Sequence, residues 1–308
     1  MEVSDITLSL PSRSLDRPPP LIVESPRTNR NAFVLLHGTS SSGAPFSKEL
    51  MEQIDFGLLL PRTKLVFPSG SLRKTTVFGG NLTHAWFDIA DFADRTKGEE
   101  QQKEGLKESI EYLGKLIKDV VDSESDDEKF QVFVGGLSQG CAMSMILLLS
   151  GQLDELRVSQ KLGGFVGLSG WLPFERQLSG VIMQGRDWKE KRALAQCWLR
   201  SELGLSLSER WDMPSSSSWK KQDITIFLAH GTSDEKVRME WGENMRRLLE
   251  AVGFKVEWKE YEGMGHVTIP GELVDMTDFI KHESDMHDRA GEETIVTSPH
   301  APTPTYKE

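Results

Sequence analysis

The chain has only 2 cysteines, Cys141 and Cys197, among 308 residues. Two thiols cannot hold together a small extracellular scaffold, so a disulfide-built fold is excluded and a reducing compartment is expected. Cations are also scarce: 36 Lys and Arg stand against 47 Asp and Glu, a net charge of -11. Such a surface offers little to a phosphate backbone, which argues against nucleic acid as a partner. It also exerts no pull toward anionic lipid. No apolar run approaches the roughly 20 residues of a membrane span. The opening MEVSDITLSLPSRSLDRPPP has early acids and neither an apolar signal core nor a Met-Gly start. No group of His, Cys and acids has ligand spacing, so neither metal nor cofactor is expected. A soluble cytoplasmic protein, with nuclear entry left open and membrane contact at most transient, is the expectation.

What is present is an alternation. "NAFVLLHG" (31–38), "TKLVFPSG" (63–70), "KFQVFVGG" (129–136), "KLGGFVGLSG" (161–170) and "DITIFLAHG" (223–231) are short apolar runs that end in glycine. They read as buried strands. "FKVEWKEYEG" (254–263) alternates more openly, as a strand nearer an edge does. Between them lie helical patterns: Leu106, Ile110, Leu113, Ile117 and Val120 keep a 3.6-residue period, and Trp241, Met245, Leu248 and Val252 form a second stripe. Strand, helix, strand, helix is the pattern of a mostly parallel sheet covered on both faces, an α/β fold. Residues 1–28 and 283–308 are polar, Pro-broken and aperiodic, so a flexible lead-in and a disordered tail flank a domain at 29–282. Residues 175–222 interrupt the alternation and read as an insertion containing a helix or two.

Gly136-Leu137-Ser138-Gln139-Gly140 matches G-x-S-x-G. The glycines have a mechanical reason. A serine on a tight strand-to-helix turn adopts a strained backbone, and side chains two residues away would collide. The strand "FQVFV" before it and the helical "CAMSMILLL" after it supply that context. The alternative is a glycine turn with a serine cap.

A nucleophilic serine needs a base, and the base an orienting carboxylate, in the chain order Ser, acid, His. Asp234 follows one strand and His266 the next, so parallel strands carry both to the edge that holds Ser138. Glu235 is a competing carboxylate, and Asp234 could equally be a helix cap. Of 7 histidines, only His266 follows the acid and lies inside the patterned core. Oxyanion donors are expected from the N–H of Gln139 and of Thr39, where Gly38 permits a tight turn. His37 precedes the serine and reads as a structural partner of that loop.

"LLHGTSSSG", "WFDI", "GGLSQG", "LSGWLP", "HGTSDEKV" and "YEGMGH", in this order, resemble the acyl-protein thioesterase and small carboxylesterase/lysophospholipase family of the α/β hydrolases. The resemblance covers roughly residues 33–280. It implies an α/β-hydrolase fold and a triad of Ser138, Asp234 and His266. It also implies a cleft lined on the acyl side by Trp86, Trp171 and Leu172. The substrate it implies is an acylated protein or a lipid ester, cleaved at a thioester or oxygen ester without cofactor. Departures are Thr232 for an acid, Glu235 for a proline, Cys141 for a glycine, and the polar "HGTSSSG" loop. The 175–222 insertion, longer than in compact members, is either a cap or a surface excursion packed on one side. Three functions compete: a depalmitoylating or lysophospholipase-type hydrolase, a carboxylesterase for short soluble esters, and a non-catalytic acyl-binding protein on the same scaffold. Oligomeric state is left open.

Overall fold

A computed structural model describes residues 17–124, 129–206 and 224–295, with side chains described to residue 286. The strands are β1 (Leu21–Val23), β2 (Asn31–Leu36), β3 (Thr63–Phe67), β4 (Ser71–Thr75), β5 (Asn81–Ala85), β6 (Gln131–Leu137), β7 (Leu162–Leu168), β8 (Thr225–Gly231) and β9 (Lys255–Tyr261). The helices are α1 (Gly43–Met51), α2 (Phe56–Leu59), α3 (Glu99–Ser123), α4 (Gln139–Leu149), α5 (Gln152–Glu155), α6 (Glu175–Ile182), α7 (Trp188–Glu202), α8 (Met239–Ala251) and α9 (Pro270–Ile295).

Seven strands form one sheet in the order β1-β3-β2-β6-β7-β8-β9, parallel except for β1, and β4 and β5 form a separate hairpin. Alternate side chains of each central strand serve opposite faces. Ala32, Val34 and Leu36 join Val132, Val134, Leu106, Ile110 and Met145 on the face covered by α3 and α4. Phe33 and Leu35 join Phe133, Phe46, Leu50, Met276 and Phe279 on the face covered by α1 and α9. Every residue of β2, β7 and β8 is buried. These runs are continuously apolar for that reason, and β9 is only partly buried because it lies at the sheet edge.

The chain leaves β2 toward β3 on one side and returns as β6 on the other. The loops after β2 and β6 therefore diverge at their carboxyl ends, which opens a crevice there.

Two boundaries differ from the sequence reading. Residues 17–28, expected in the lead-in, include β1, whose Leu21 pairs with Phe67. Arg17 there pairs with Glu108 and stacks on Tyr112, 3.6 Å from the ring centroid. A three-residue strand held by main-chain bonds leaves no periodicity to detect. Helix α9 runs past residue 282 to Ile295. Its buried first turns nucleate a helix that polar residues then extend at little cost. In the insertion, α7 packs Ala195 and Leu199 inward, and Arg200 donates to the carbonyl of Ser150, beyond the C-terminal end of α4. Ser138 lies at the opposite end of α4. The remainder of the insertion, 207–222, and the tail beyond 295 lie outside the described residues.

Candidate active site

Ser138 sits between β6 and α4 with φ 57 and ψ -114. A non-glycine residue in this region costs of order 1–3 kcal/mol, so the surroundings must hold it there. Its N–H donates to the carbonyl of Leu168, and its carbonyl accepts from Ala142. The flanking glycines are demanded by packing against β2. A Cβ at Gly136 would lie 2.4 Å from the Leu36 carbonyl oxygen, and one at Gly140 2.1 Å from the same atom. Gly140→Ala is therefore expected to destabilise the fold by at least about 2–4 kcal/mol, read as a lower denaturant midpoint at unchanged slope.

His266, in the loop after β9, links the other two groups. Its Nδ1 donates to Asp234 Oδ2 at 2.7 Å, and its Nε2 lies 2.9 Å from Ser138 Oγ. With the Nδ1 proton on the carboxylate, Nε2 is the lone-pair nitrogen that accepts the serine hydroxyl. Asp234 is fixed from behind: its Oδ1 accepts the N–H groups of Lys236 and Val237, each at 2.9 Å. Glu235, the competing carboxylate, is exposed to solvent. Burial acts to raise the Asp234 carboxyl, but the hydrogen bonds from His266 and from the Val237 and Lys236 N–H groups outweigh it and hold the group below the usual range.

Thr232 and Ser233 tie the β8 and β9 loops together, and His230 braces the β8 loop from within. Thr232 accepts the Gly263 N–H on its hydroxyl at 2.8 Å. Ser233 N–H donates to the Met264 carbonyl at 3.0 Å. Fully buried His230 donates through Nε2 to the Val237 carbonyl at 2.8 Å, and burial keeps it neutral by lowering its pKa. No spacing rule marks these three residues, because each makes its bond to loop backbone.

On the other side of the crevice, a Cβ at Gly38 would lie 3.6 Å from Ser138 Cβ, so the Gly38-Thr39 turn passes close to the hydroxyl. His37 is the structural residue expected. Its Nε2 accepts the Gly70 N–H at 2.9 Å and its Nδ1 donates to the Gly38 carbonyl at 2.6 Å. Burial lowers its pKa to about 4, so it stays neutral. Ser40, at φ 58, donates its N–H to the His84 carbonyl. Among the described residues, neither the Thr39 N–H nor the Gln139 N–H is taken by a backbone carbonyl.

The buried Gln139 side chain clamps the segment after β5. Its Oε1 accepts the Trp86 N–H at 3.1 Å and its Nε2 donates to the Phe87 carbonyl at 2.7 Å. Trp86 itself corrects an expectation. It does not line the cleft: it is 0% exposed, with its indole N–H on the His37 carbonyl at 2.8 Å and its ring against His37. A large ring at the end of a hairpin fills the space under the loop and shapes it from below. Trp171 and Leu172, also buried, border a cavity of about 360 Å³ beside the β8 loop.

Glu272, on the first turn of α9, is fully buried, and neither carboxyl oxygen has a hydrogen-bond partner. Burial pushes its pKa up to about 8, and Asp234 and Asp275 add to the rise. The folded chain thus holds a proton there that the unfolded chain releases near pH 4.3. Between those values the folded state binds more protons, so stability falls as pH rises from about 4 to about 8. Glu272→Gln is expected to match the parent at acid pH and to exceed it by on the order of 3 kcal/mol above about pH 8. Denaturant unfolding of both proteins across that range checks the sign.

Comparison with known proteins agrees with this architecture. The profile described as Phospholipase/Carboxylesterase matches residues 18–188 and 203–284, and the break falls within α7. An acyl-protein thioesterase 1 of Yarrowia lipolytica is 28% identical over 250 residues, covering 80% of this chain and 89% of that protein. One from Debaryomyces hansenii is 28% identical over 254 residues, covering 82% and 90%. The crystal structure of Zea mays acyl-protein thioesterase 2 shares the fold with a TM-score of 0.60 at 24% identity, covering 86% of this chain and 98% of that one. With a match that spans the whole sheet and every loop of the crevice, the chain belongs to the phospholipase/carboxylesterase family of α/β hydrolases.

Proposed function

We propose that the protein is a serine hydrolase of the acyl-protein thioesterase type, cleaving acyl thioesters and esters with Ser138 as nucleophile, His266 as base and Asp234 as its orienting carboxylate. The observation that carries this reading is the continuous chain from Asp234 Oδ2 through His266 to Ser138 Oγ, at 2.7 and 2.9 Å, ending on a strained turn. A serine cap needs neither the strain nor the two partners.

His266 Nε2 takes the Ser138 proton as Oγ attacks the acyl carbonyl. The N–H groups of Thr39 and Gln139 receive the oxyanion, the latter at the positive end of α4. The tetrahedral intermediate collapses and the thiol or alcohol departs with the proton from Nε2. Water, deprotonated by His266, then attacks the acyl-serine, and the acid leaves as Ser138 regains its proton. Each step uses only groups of this chain. Among the described residues no group of His, Cys, Asp and Glu could hold a metal ion.

No described helix is long and apolar enough to cross a membrane. A cytoplasmic setting and substrates presented from protein or lipid surfaces fit this reading. The test is hydrolysis of p-nitrophenyl esters from acetate to palmitate beside a palmitoyl thioester. Turnover of the thioester is the expected result. Turnover confined to short oxygen esters would make the protein a carboxylesterase, and a folded protein inert to all of them would leave a binding scaffold.

A further inference from the structure

The cavity beside the β8 loop contains a cation that lacks a counter-ion. Arg95 reaches it from the segment after β5, and Trp171 and Leu172 from the loop after β7; Trp241 of α8 closes a third side. The Arg95 guanidinium lies 4.4 Å from the Trp171 ring centroid and 5.5 Å from that of Trp241. One terminal nitrogen donates to the Asp91 carbonyl at 3.1 Å and the other to the Lys236 carbonyl at 3.2 Å. Its Nε–H is buried with no partner, and so is the indole N–H of Trp171, a residue only 3% exposed. Among the described residues Arg95 makes no ion pair.

Two unpaired donors and a desolvated cation are expensive to keep. Burial lowers the Arg95 pKa to about 10, and the carboxylates it senses are those of Asp91 and Asp234. Both are committed elsewhere, Asp91 to Lys97 and Asp234 to His266. Four acids border the cavity: Asp94 is taken up by Thr96, Glu99 by Gln177 and Glu175 by Ser179, and Glu240 is the fourth; among the described residues none of them pairs with Arg95. Because Arg95 donates to the Lys236 carbonyl, while the Lys236 N–H binds Asp234, the guanidinium is joined through the β8 loop to the acid of the triad.

We propose that this cavity is a substrate subsite for a carboxylate, and that Arg95 and Trp171 select esters or thioesters carrying one a few bonds from the scissile carbonyl. The ligand carboxylate would accept the Arg95 Nε–H and the Trp171 indole N–H, supplying the acceptor that these two donors lack. The proposal rests on the hydrolase reading above. The carboxylate belongs either to the acyl chain or to the leaving group.

The experiment compares kcat/KM for matched pairs of substrates. In the first pair, the glutarate hemithioester of a neutral thiol is set against its methyl-capped analogue. In the second, the butyryl thioester of 3-mercaptopropionate is set against that of its amide. A preference of about tenfold or more for the charged member of one pair is expected, and the pair that shows it identifies the side that enters. Arg95→Gln and Trp171→Phe should each shrink that ratio, and Arg95→Lys should keep part of it. Using a ratio cancels any damage to the triad. Equal or reversed preference in the parent, or a ratio untouched by Arg95→Gln, overturns the proposal. A second measurement separates its failure from that of the hydrolase reading: glutarate titrated into Ser138→Ala and followed by tryptophan fluorescence. If no substrate turns over, saturable quenching that disappears in the Ser138→Ala, Arg95→Gln double variant upholds the subsite, and absence of quenching rejects it.

Discussion

Ser138→Ala should lower kcat by about 10⁵-fold or more while leaving the fold in place. The bonds that position the turn are main-chain bonds, from Ser138 N–H to the Leu168 carbonyl and from Ala142 N–H to the Ser138 carbonyl, and both survive the substitution. What disappears is the hydroxyl that His266 Nε2 meets at 2.9 Å. The backbone strain remains with alanine, which also carries a Cβ at φ 57. Ser138→Gly should therefore be equally inactive and more stable, by about 1–2 kcal/mol. Steady-state turnover paired with thermal unfolding of the three proteins reads both effects. A glycine variant more stable than both the alanine variant and the parent, with the parent alone active, is the signature of strain held for chemistry.

Asp234→Asn is expected to cost about 10³–10⁴ in kcat, although it replaces one oxygen by nitrogen. The direction follows from the donors around the carboxylate. Its Oδ1 receives two backbone N–H groups, from Lys236 and Val237, which can bond only to an acceptor. The amide oxygen must stay on that side, so the amide nitrogen turns toward His266 Nδ1. A donor there forces Nδ1 to accept and moves the imidazole proton to Nε2. The nitrogen facing Ser138 then carries a hydrogen and cannot take another. Loss in kcat with KM little changed is the expected pattern, because the ground-state crevice is intact. Fluorophosphonate labelling should slow in parallel. A variant that retains a tenth of parental kcat would mean that Asp234 serves the fold and not the chemistry.

Much of the site was legible because the fold delivers residues by strand order. Ser138, Asp234 and His266 each follow a patterned strand, and parallel strands end at one edge, so the sequence order sufficed to gather them. The residue pattern alone left Glu235 as a competitor, and only the family resemblance pointed to Asp234. Adjacent carboxylates differ only in which one the loop turns inward, and the Lys236 and Val237 N–H groups decide that. Trp86 was misplaced for a related reason. An aromatic residue beside a catalytic loop reads the same whether it faces the crevice or fills the space beneath it. Arg95 and Glu272 gave no signal at all. An arginine in a polar loop and an acid in the first turn of a helix are ordinary in sequence, and only their buried atoms left without partners make them unusual. The chain ends show the same limit, since β1 is specified by its partner β3 and not by its own three residues.

The most direct test of Ser138 as nucleophile is covalent. The intact protein would be treated with a fluorophosphonate, weighed, digested and mapped. One adduct per chain, on Ser138, lost in Ser138→Ala and strongly slowed in Asp234→Asn, is the expected result. An adduct on any other serine, or none on a protein that unfolds cooperatively, would contradict the assignment of the nucleophile and with it the hydrolytic mechanism.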